Sequence, residues 1–295
     1  MLYPLSYGGR VVERSGSEVG DDPLVRPWPA GLGSAAMTDF LDHYGPWAVV
    51  TGAAQGVGLA FVEELHERGL GVVLVDRNDA VVDVAAGLKG DTRALVADVT
   101  DPGWIAALEA VVGDVEIGLA VANAGVSFVK HFLDMTAEER RLTLGVNAGA
   151  VTDLAAWSLP PMVDRGRGGF VVTSSGSALA GVGGVGLYSA TKAFTVNLVE
   201  AIGWEIRDSG VHTQAVVAPS METPAFVGHN PDLDAMFAPM VDPRDVVRGA
   251  LDALPNGGRY LADEGLEFAA QVPRADRVDM MSQATTAMYP HIFGS

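Results

Sequence analysis

The 295-residue chain carries 37 acidic against 19 basic side chains, a formal charge of −18 at pH 7, which excludes a basic nucleic-acid binder. It has no cysteine, so disulfides, thiolate nucleophiles, iron–sulfur clusters and cysteine zinc sites are excluded together. Hydrophobic residues make up 48% and charged residues 19%, a composition that hides much of its length from water.

Residues 1–36 hold six glycines and four prolines with no apolar period, the composition of an irregular or flexible arm. Either the arm is a true extension or Met37 is the more natural start. The N-terminus lacks a basic region followed by an apolar core, so no secretory signal is expected. The longest charge-free stretch, 168–191, contains seven glycines and is too polar for a membrane span. The expectation is a soluble, cytoplasmic protein that engages no membrane.

From Trp47 onward short apolar runs alternate with longer amphipathic segments. The runs are Trp47–Val50, Val72–Val75, Ala94–Ala97, Leu119–Ala122, Phe170–Thr173, Gln214–Ala218 and Arg259–Ala262, each expected to be a strand buried on both faces. A helix is predicted over Leu59–Arg68, stopped by Gly69. Another starts at Thr100 or Asp101 with Pro102 in its first turn. A third begins at Thr136, where Glu139 completes a capping box, and a fourth follows Asp242–Pro243. Strand and helix in repeated alternation predict a doubly wound α/β fold, a parallel sheet of about seven strands with helices on both faces. Residues 37–295 read as one domain.

The first run enters Thr51-Gly52-Ala53-Ala54-Gln55-Gly56-Val57-Gly58 directly. Glycines there let the backbone turn tightly and approach a pyrophosphate, leaving its charge at a helix N-terminus. Asp76 ends the second run, 18 residues after Gly58, where a carboxylate accepts hydrogen bonds from the adenosine ribose hydroxyls and repels a 2′-phosphate. That favours NAD over NADP. Arg77 is either a clamp for a 2′-phosphate or a solvated turn residue, while Gln55 offers no basic help before the middle glycine. Asp98, followed by Val99, either meets the adenine edge or caps the next helix.

Tyr188 and Lys192 are four residues apart, one helical turn on one face. Ser175 precedes the tyrosine by 13 residues at a strand end, and Asn147 falls on an intervening helix. A phenol with an ordinary pKa of about 10 is a poor base unaided. A nearby ammonium stabilises the phenolate, so Tyr188 would take a proton from an alcohol or give one to a carbonyl. Ser175 would steady the developing charge on the substrate oxygen. Asn147 would hold a water linking Lys192 to solvent, or else bond to neighbouring backbone.

Over about residues 44–265 the sequence resembles the short-chain dehydrogenase/reductase family. The resemblance rests on the Thr51–Gly58 loop, the Asn123-Ala124-Gly125 turn, Asn147, Ser175 and the Tyr188-x-x-x-Lys192 pair. It implies a Rossmann-type fold, a nicotinamide cofactor, a catalytic tetrad of Asn147, Ser175, Tyr188 and Lys192, and assembly as a homodimer or homotetramer. Two departures stand out. Ala122 replaces an asparagine before the Asn123 turn, and Pro219-Ser220-Met221-Glu222-Thr223 lacks the usual glycine after proline, which leaves the roles of Pro219 and Thr223 at the cofactor open.

Two regions are expected to shape the pocket: the loop Gly176–Leu187 and the segment 222–240, with Phe226, Val227, Leu233, Met236, Phe237 and Met240. The latter reads as a lid over an apolar substrate or as a helix packed on the core. His229 within it reads as a surface residue. No catalytic metal is expected, since carboxylates and histidines nowhere cluster at ligand spacing. The activity this predicts is interconversion of an apolar secondary alcohol and its ketone with NAD, the alternatives being an NADP-dependent carbonyl or oxoacyl reductase and a cofactor-binding sensor or scaffold without catalysis. Apolar stretches Val151–Leu159 and Ala193–Ile202 suggest surfaces buried between subunits.

Overall fold

A computed structural model describes residues 37–236 and 238–293; the arm at 1–36 and Phe237 lie outside the described residues. All seven expected strands form: β1 (Trp47–Thr51), β2 (Gly71–Asp76), β3 (Thr92–Val96), β4 (Ile117–Ala122), β5 (Gly168–Thr173), β6 (Val211–Val217) and β7 (Gly258–Leu261). They make one parallel sheet in the order β3-β2-β1-β4-β5-β6-β7. The order reverses between β1 and β4, and in such sheets the crevice at the carboxyl ends of those two strands is where ligands bind.

The five interior strands are largely apolar because both of their faces are covered, whereas the edge strands β3 and β7, expected to be buried likewise, are only partly buried because each has a neighbouring strand on one side alone. Along β1, Val49 joins one core while Ala48 and Val50 join the other, and β2 divides the same way between Val73 and Val75 on one side and Val72 and Leu74 on the other. Helices α4 (Trp104–Val112), α6 (Ala150–Arg165) and α7 (Gly186–Glu205) pack on the first face. The second is covered by α1 (Met37–Tyr44), α2 (Gly56–Glu67), α3 (Ala80–Gly87) and α9 (Pro243–Ala253). Strands therefore read as continuous apolar runs rather than as alternating ones.

Helix starts differ from expectation in two places. The first glycine-loop helix begins at Gly56 rather than Leu59, so the glycines lie in its opening turn. The helix expected from Thr100 or Asp101 begins only at Trp104. Asp98 Oδ1 accepts from the Thr100 N–H and Asp101 Oδ1 from the Gly103 N–H, and these successive side-chain-closed turns consume the intervening residues. The capping box is present at α5 (Ala137–Leu144), with Thr136 and Glu139 exchanging hydrogen bonds.

After β7 the chain adds α10 (Glu264–Gln271), α11 (Arg274–Met288) and α12 (Pro290–Phe293), which the sequence reading left unassigned. They pack on the two pocket segments. Ser282 Oγ accepts from the Gly183 N–H at 2.9 Å, Arg277 donates to the Leu179 carbonyl at 2.8 Å, and the Asp232 N–H donates to the Met288 carbonyl at 2.7 Å. The 222–240 segment is thus held from below. Its described residues include the short helix α8 (Pro224–Val227) and a 3-10 turn, Leu233–Ala235, and the apolar residues expected to drive its packing split, with Val227 and Leu233 exposed.

At the opposite end of the sheet, the Tyr44 hydroxyl meets His212 Nδ1 at 2.6 Å and the His43 ring stacks on His212 at 4.6 Å between centroids. Burial pushes the His212 imidazole down to about 4, helped by His43.

Candidate active site

A cleft of about 620 Å³ opens at the carboxyl ends of β1 and β4. Its first wall is the glycine loop. Gly52 and Gly56 have φ of +67° and +58°, a region that side chains rarely adopt. A methyl group on Gly58 would lie 1.9 Å from the Gly52 carbonyl oxygen, so only glycine lets the helix approach the strand. Gln55 precedes α2 without a side-chain cap, leaving the first N–H groups of the helix, at Val57 and Gly58, to an external anion. Thr51 and Asn123 tie this loop to the next strand. Thr51 Oγ1 accepts from the Asn123 and Ala124 N–H groups, and Asn123 Nδ2 donates to the Thr51 and Gly52 carbonyls, all at 3.1 Å. The asparagine missing at Ala122 leaves these bonds intact.

Asp76 is fixed at the end of β2 by N–H donation from Ala54 and Asn78, both at 2.9 Å. Each carboxylate oxygen keeps a second acceptor position. Arg77 is exposed beside it and lines the same cleft. Asp98 also lines the cleft, but Thr100 occupies its Oδ1 through both N–H and hydroxyl and, with Arg77 nearby, holds its carboxyl below the usual range. Val99 lies buried next to it. Pro219 and Thr223 both reach the cleft. Thr223 Oγ1 accepts from the Phe226 N–H as the cap of α8, and a methyl on Gly56 would touch the Thr223 side chain at 3.4 Å. The shortened loop thus still spans the glycine loop. A glycine cradle, an uncapped helix N-terminus and a pinned carboxylate fit a dinucleotide with its phosphates at α2.

The reactive end of the cleft is built from β5 and α7. Lys192, 5% exposed, donates from Nζ to the Thr173 carbonyl at 2.6 Å. Ser174 Oγ donates to the Lys192 carbonyl at 3.0 Å, and Thr195 adds a second bond there at 2.8 Å. Two residues past Thr173, Ser175 accepts from the Ser177 N–H at 3.2 Å and hydrogen-bonds Tyr188. Lys192 Nζ sits 5.6 Å from the centre of the Tyr188 ring. The lysine was expected to lower the phenol's pKa. Instead burial pushes Tyr188 up, against which only the Ser175 bond acts, and burial brings Lys192 down to about 8. An ammonium that is itself desolvated is easier to neutralise, so the protein alone keeps the phenol protonated.

Asn147 is placed in a π-helical turn, Gly145–Gly149, and is fully buried. Its Oδ1 accepts from the Val126 N–H at 2.9 Å, and its Nδ2 donates to the Val126 carbonyl at 2.9 Å and to Thr191 Oγ1 at 3.1 Å. Its side-chain amide thus bonds to the backbone of Val126 and to the Thr191 hydroxyl. It clamps the Asn123-Ala124-Gly125 turn to the lysine helix, where a methyl on Gly125 would lie 3.5 Å from Lys192 Nζ.

His229, expected at the surface, is half-buried, lines the cleft and meets Ser127 Oγ through Nε2 at 2.8 Å. Nothing in its sequence surroundings marks it, because the contact spans 102 residues. Among the described residues no group of three or more histidines, cysteines or carboxylates could hold a metal ion, and no helix is long and apolar enough to cross a membrane.

Sheet order and glycine cradle together define a nucleotide-binding fold of Rossmann type, with a buried lysine beside a tyrosine in its cleft. The chain belongs to the short-chain dehydrogenase family, whose model matches residues 46–234. It is 32% identical over 210 residues to human "Inactive hydroxysteroid dehydrogenase-like protein 1", covering 67% of this chain and 63% of that protein. It is 31% identical over 219 residues to human "Very-long-chain 3-oxoacyl-CoA reductase", covering 71% and 69%. A short-chain dehydrogenase from Sphingobium yanoikuyae solved with NADPH superposes with a TM-score of 0.68 at 28% identity, over 84% of this chain and 96% of that one. The chain thus spans somewhat less than two thirds of the length of its first relative.

Proposed function

We propose that the protein is an NAD(P)-dependent oxidoreductase that interconverts a mostly apolar secondary alcohol and its ketone. The observation that carries this is the Ser175–Tyr188–Lys192 arrangement at the open end of a cleft whose other end is a glycine cradle. A bound nicotinamide would give or accept the hydride. Tyr188, held protonated, donates to the oxygen of a carbonyl as charge develops on it. Ser175 donates a second hydrogen bond to that oxygen. Lys192 supplies positive charge beneath the phenol and shares its proton with the Thr173 carbonyl, while Asn147 keeps the facing turn in place.

Asp76 favours NAD, because its carboxylate is fixed where a 2′-phosphate would meet negative charge. Arg77 and the NADPH complex of the relative support the alternative reading, an NADP-dependent reductase, as does the oxoacyl reductase name of another relative. A cofactor-coupled screen of ketones and alcohols with NAD(H) and NADP(H), followed by nicotinamide absorbance, tests both readings. Turnover with neither would favour a cofactor-binding protein without catalysis, the reading that the inactive relative supports. Phe194 and Trp204 on α7 are 40% and 61% exposed. Apolar side chains open to this degree on the lysine helix support assembly as a homodimer or homotetramer, which light scattering checks. Neither nucleic acid nor membrane is proposed as a partner.

A further inference from the structure

We propose that Ser127 and His229 read the substrate: they hydrogen-bond a second oxygen atom that it carries beyond the reacting carbonyl. This rests on the reaction proposed above and assigns residues that the reaction itself does not use.

The pair stands close to the chemistry on one side and on the 223–229 segment on the other. Val126 is clamped by Asn147 through both its N–H and its carbonyl, and Gly125 borders Lys192 Nζ. Two backbone steps place the Ser127 Cα within about 7.6 Å of the Gly125 Cα. His229 arrives from the strap that begins at Thr223 against Gly56 and ends at the Ser127 bond of 2.8 Å. The strap thus runs across the cleft from the glycine loop to the β4–α5 connection. The cleft that the pair lines also carries the apolar side chains Phe128, Leu142, Val146 and Met221.

His229 is half-buried, and that burial pushes its imidazole below the ordinary value. A neutral ring has one donor and one acceptor nitrogen. Nε2 faces Ser127, whereas Nδ1 makes no hydrogen bond to any described residue. The serine hydroxyl can donate and accept at once. Together they hold a free hydrogen-bonding position for a carbonyl or hydroxyl oxygen of the substrate. Because Ser127 Oγ and His229 Nε2 pair with one another when no such oxygen is present, its absence costs one hydrogen bond. The expected discrimination is therefore about tenfold and not thousands-fold.

The test compares the full chain with its His229→Leu, Ser127→Ala and His229→Gln variants, measuring kcat/KM for ethyl 3-oxohexanoate and for 4-nonanone, which has the same chain length without the ester oxygens. The readout is the ratio of the two, so that general losses cancel. His229→Leu and Ser127→Ala are expected to lower the ester-to-ketone ratio about tenfold, and His229→Gln, which keeps a donor and an acceptor, to hold it within about threefold. A ratio unchanged in both the leucine and alanine variants overturns the proposal and makes the pair a fastening for the strap, since loosening the strap would slow both substrates alike. A wild-type chain that reduces no carbonyl compound at all overturns the reaction reading, and this proposal with it.

Discussion

Lys192 Nζ donates to the carbonyl oxygen of Thr173, two residues upstream of Ser175 on the same strand end. The β5 terminus therefore fixes the ammonium and the serine together, and α7 adds the tyrosine one turn before the lysine. Displacing the strand end moves all three groups at once.

The pH dependence follows from the directions of the two shifts. Tyr188 is raised by burial, so the acid form needed for reduction persists through neutral pH, whereas oxidation needs the phenolate and gains rate as pH rises. Lys192 loses its charge near pH 8. Reductive kcat/KM is expected to be flat below about pH 8 and to fall above it, measured as a profile from initial rates. Lys192→Met should remove that inflection and lower kcat by about 10²-fold or more.

Asp76 and Arg77 give opposite cofactor predictions. Asp76→Ala should weaken NAD binding about tenfold or more, the loss of hydrogen bonds to a charged acceptor, with NADP affected less. Arg77→Ala should weaken NADP and leave NAD nearly unchanged. Fluorescence titration with the reduced cofactors measures each without needing turnover.

The stacked His43–His212 pair predicts acid sensitivity far from the cleft. His212 has a folded pKa of about 4 against 6.5 in the unfolded chain, so folding favours the neutral ring. The associated stability is fully present above about pH 6.5 and is lost as pH falls towards 4. The loss is on the order of 2 kcal/mol, after reduction for partial solvent screening. Urea denaturation between these pH values should show it, and His212→Phe should flatten the dependence.

Much of this was legible because its causes are local. A strand buried on both faces must be apolar, so the five interior runs stood out, and Gly58 and the Tyr188-x-x-x-Lys192 spacing carry their geometry in the chain itself. Less legible were features that depend on distant partners. Nothing near Asn147 says that its amide is consumed by Val126 and Thr191. His229 meets a serine 102 residues away. The direction of the Tyr188 shift depends on burial that only packing creates. Residues 264–293 had no strand-like or motif signal, and their helices matter through single bonds such as Ser282 to Gly183.

Substituting Tyr188 by phenylalanine tests the central claim most directly, because it removes one oxygen atom and keeps the ring. With cofactor affinity verified by fluorescence and the fold by circular dichroism, turnover of every accepted alcohol and ketone should fall by about 10²–10⁴-fold. Turnover within about twofold of the unaltered protein would contradict the assignment of Tyr188 as the proton donor.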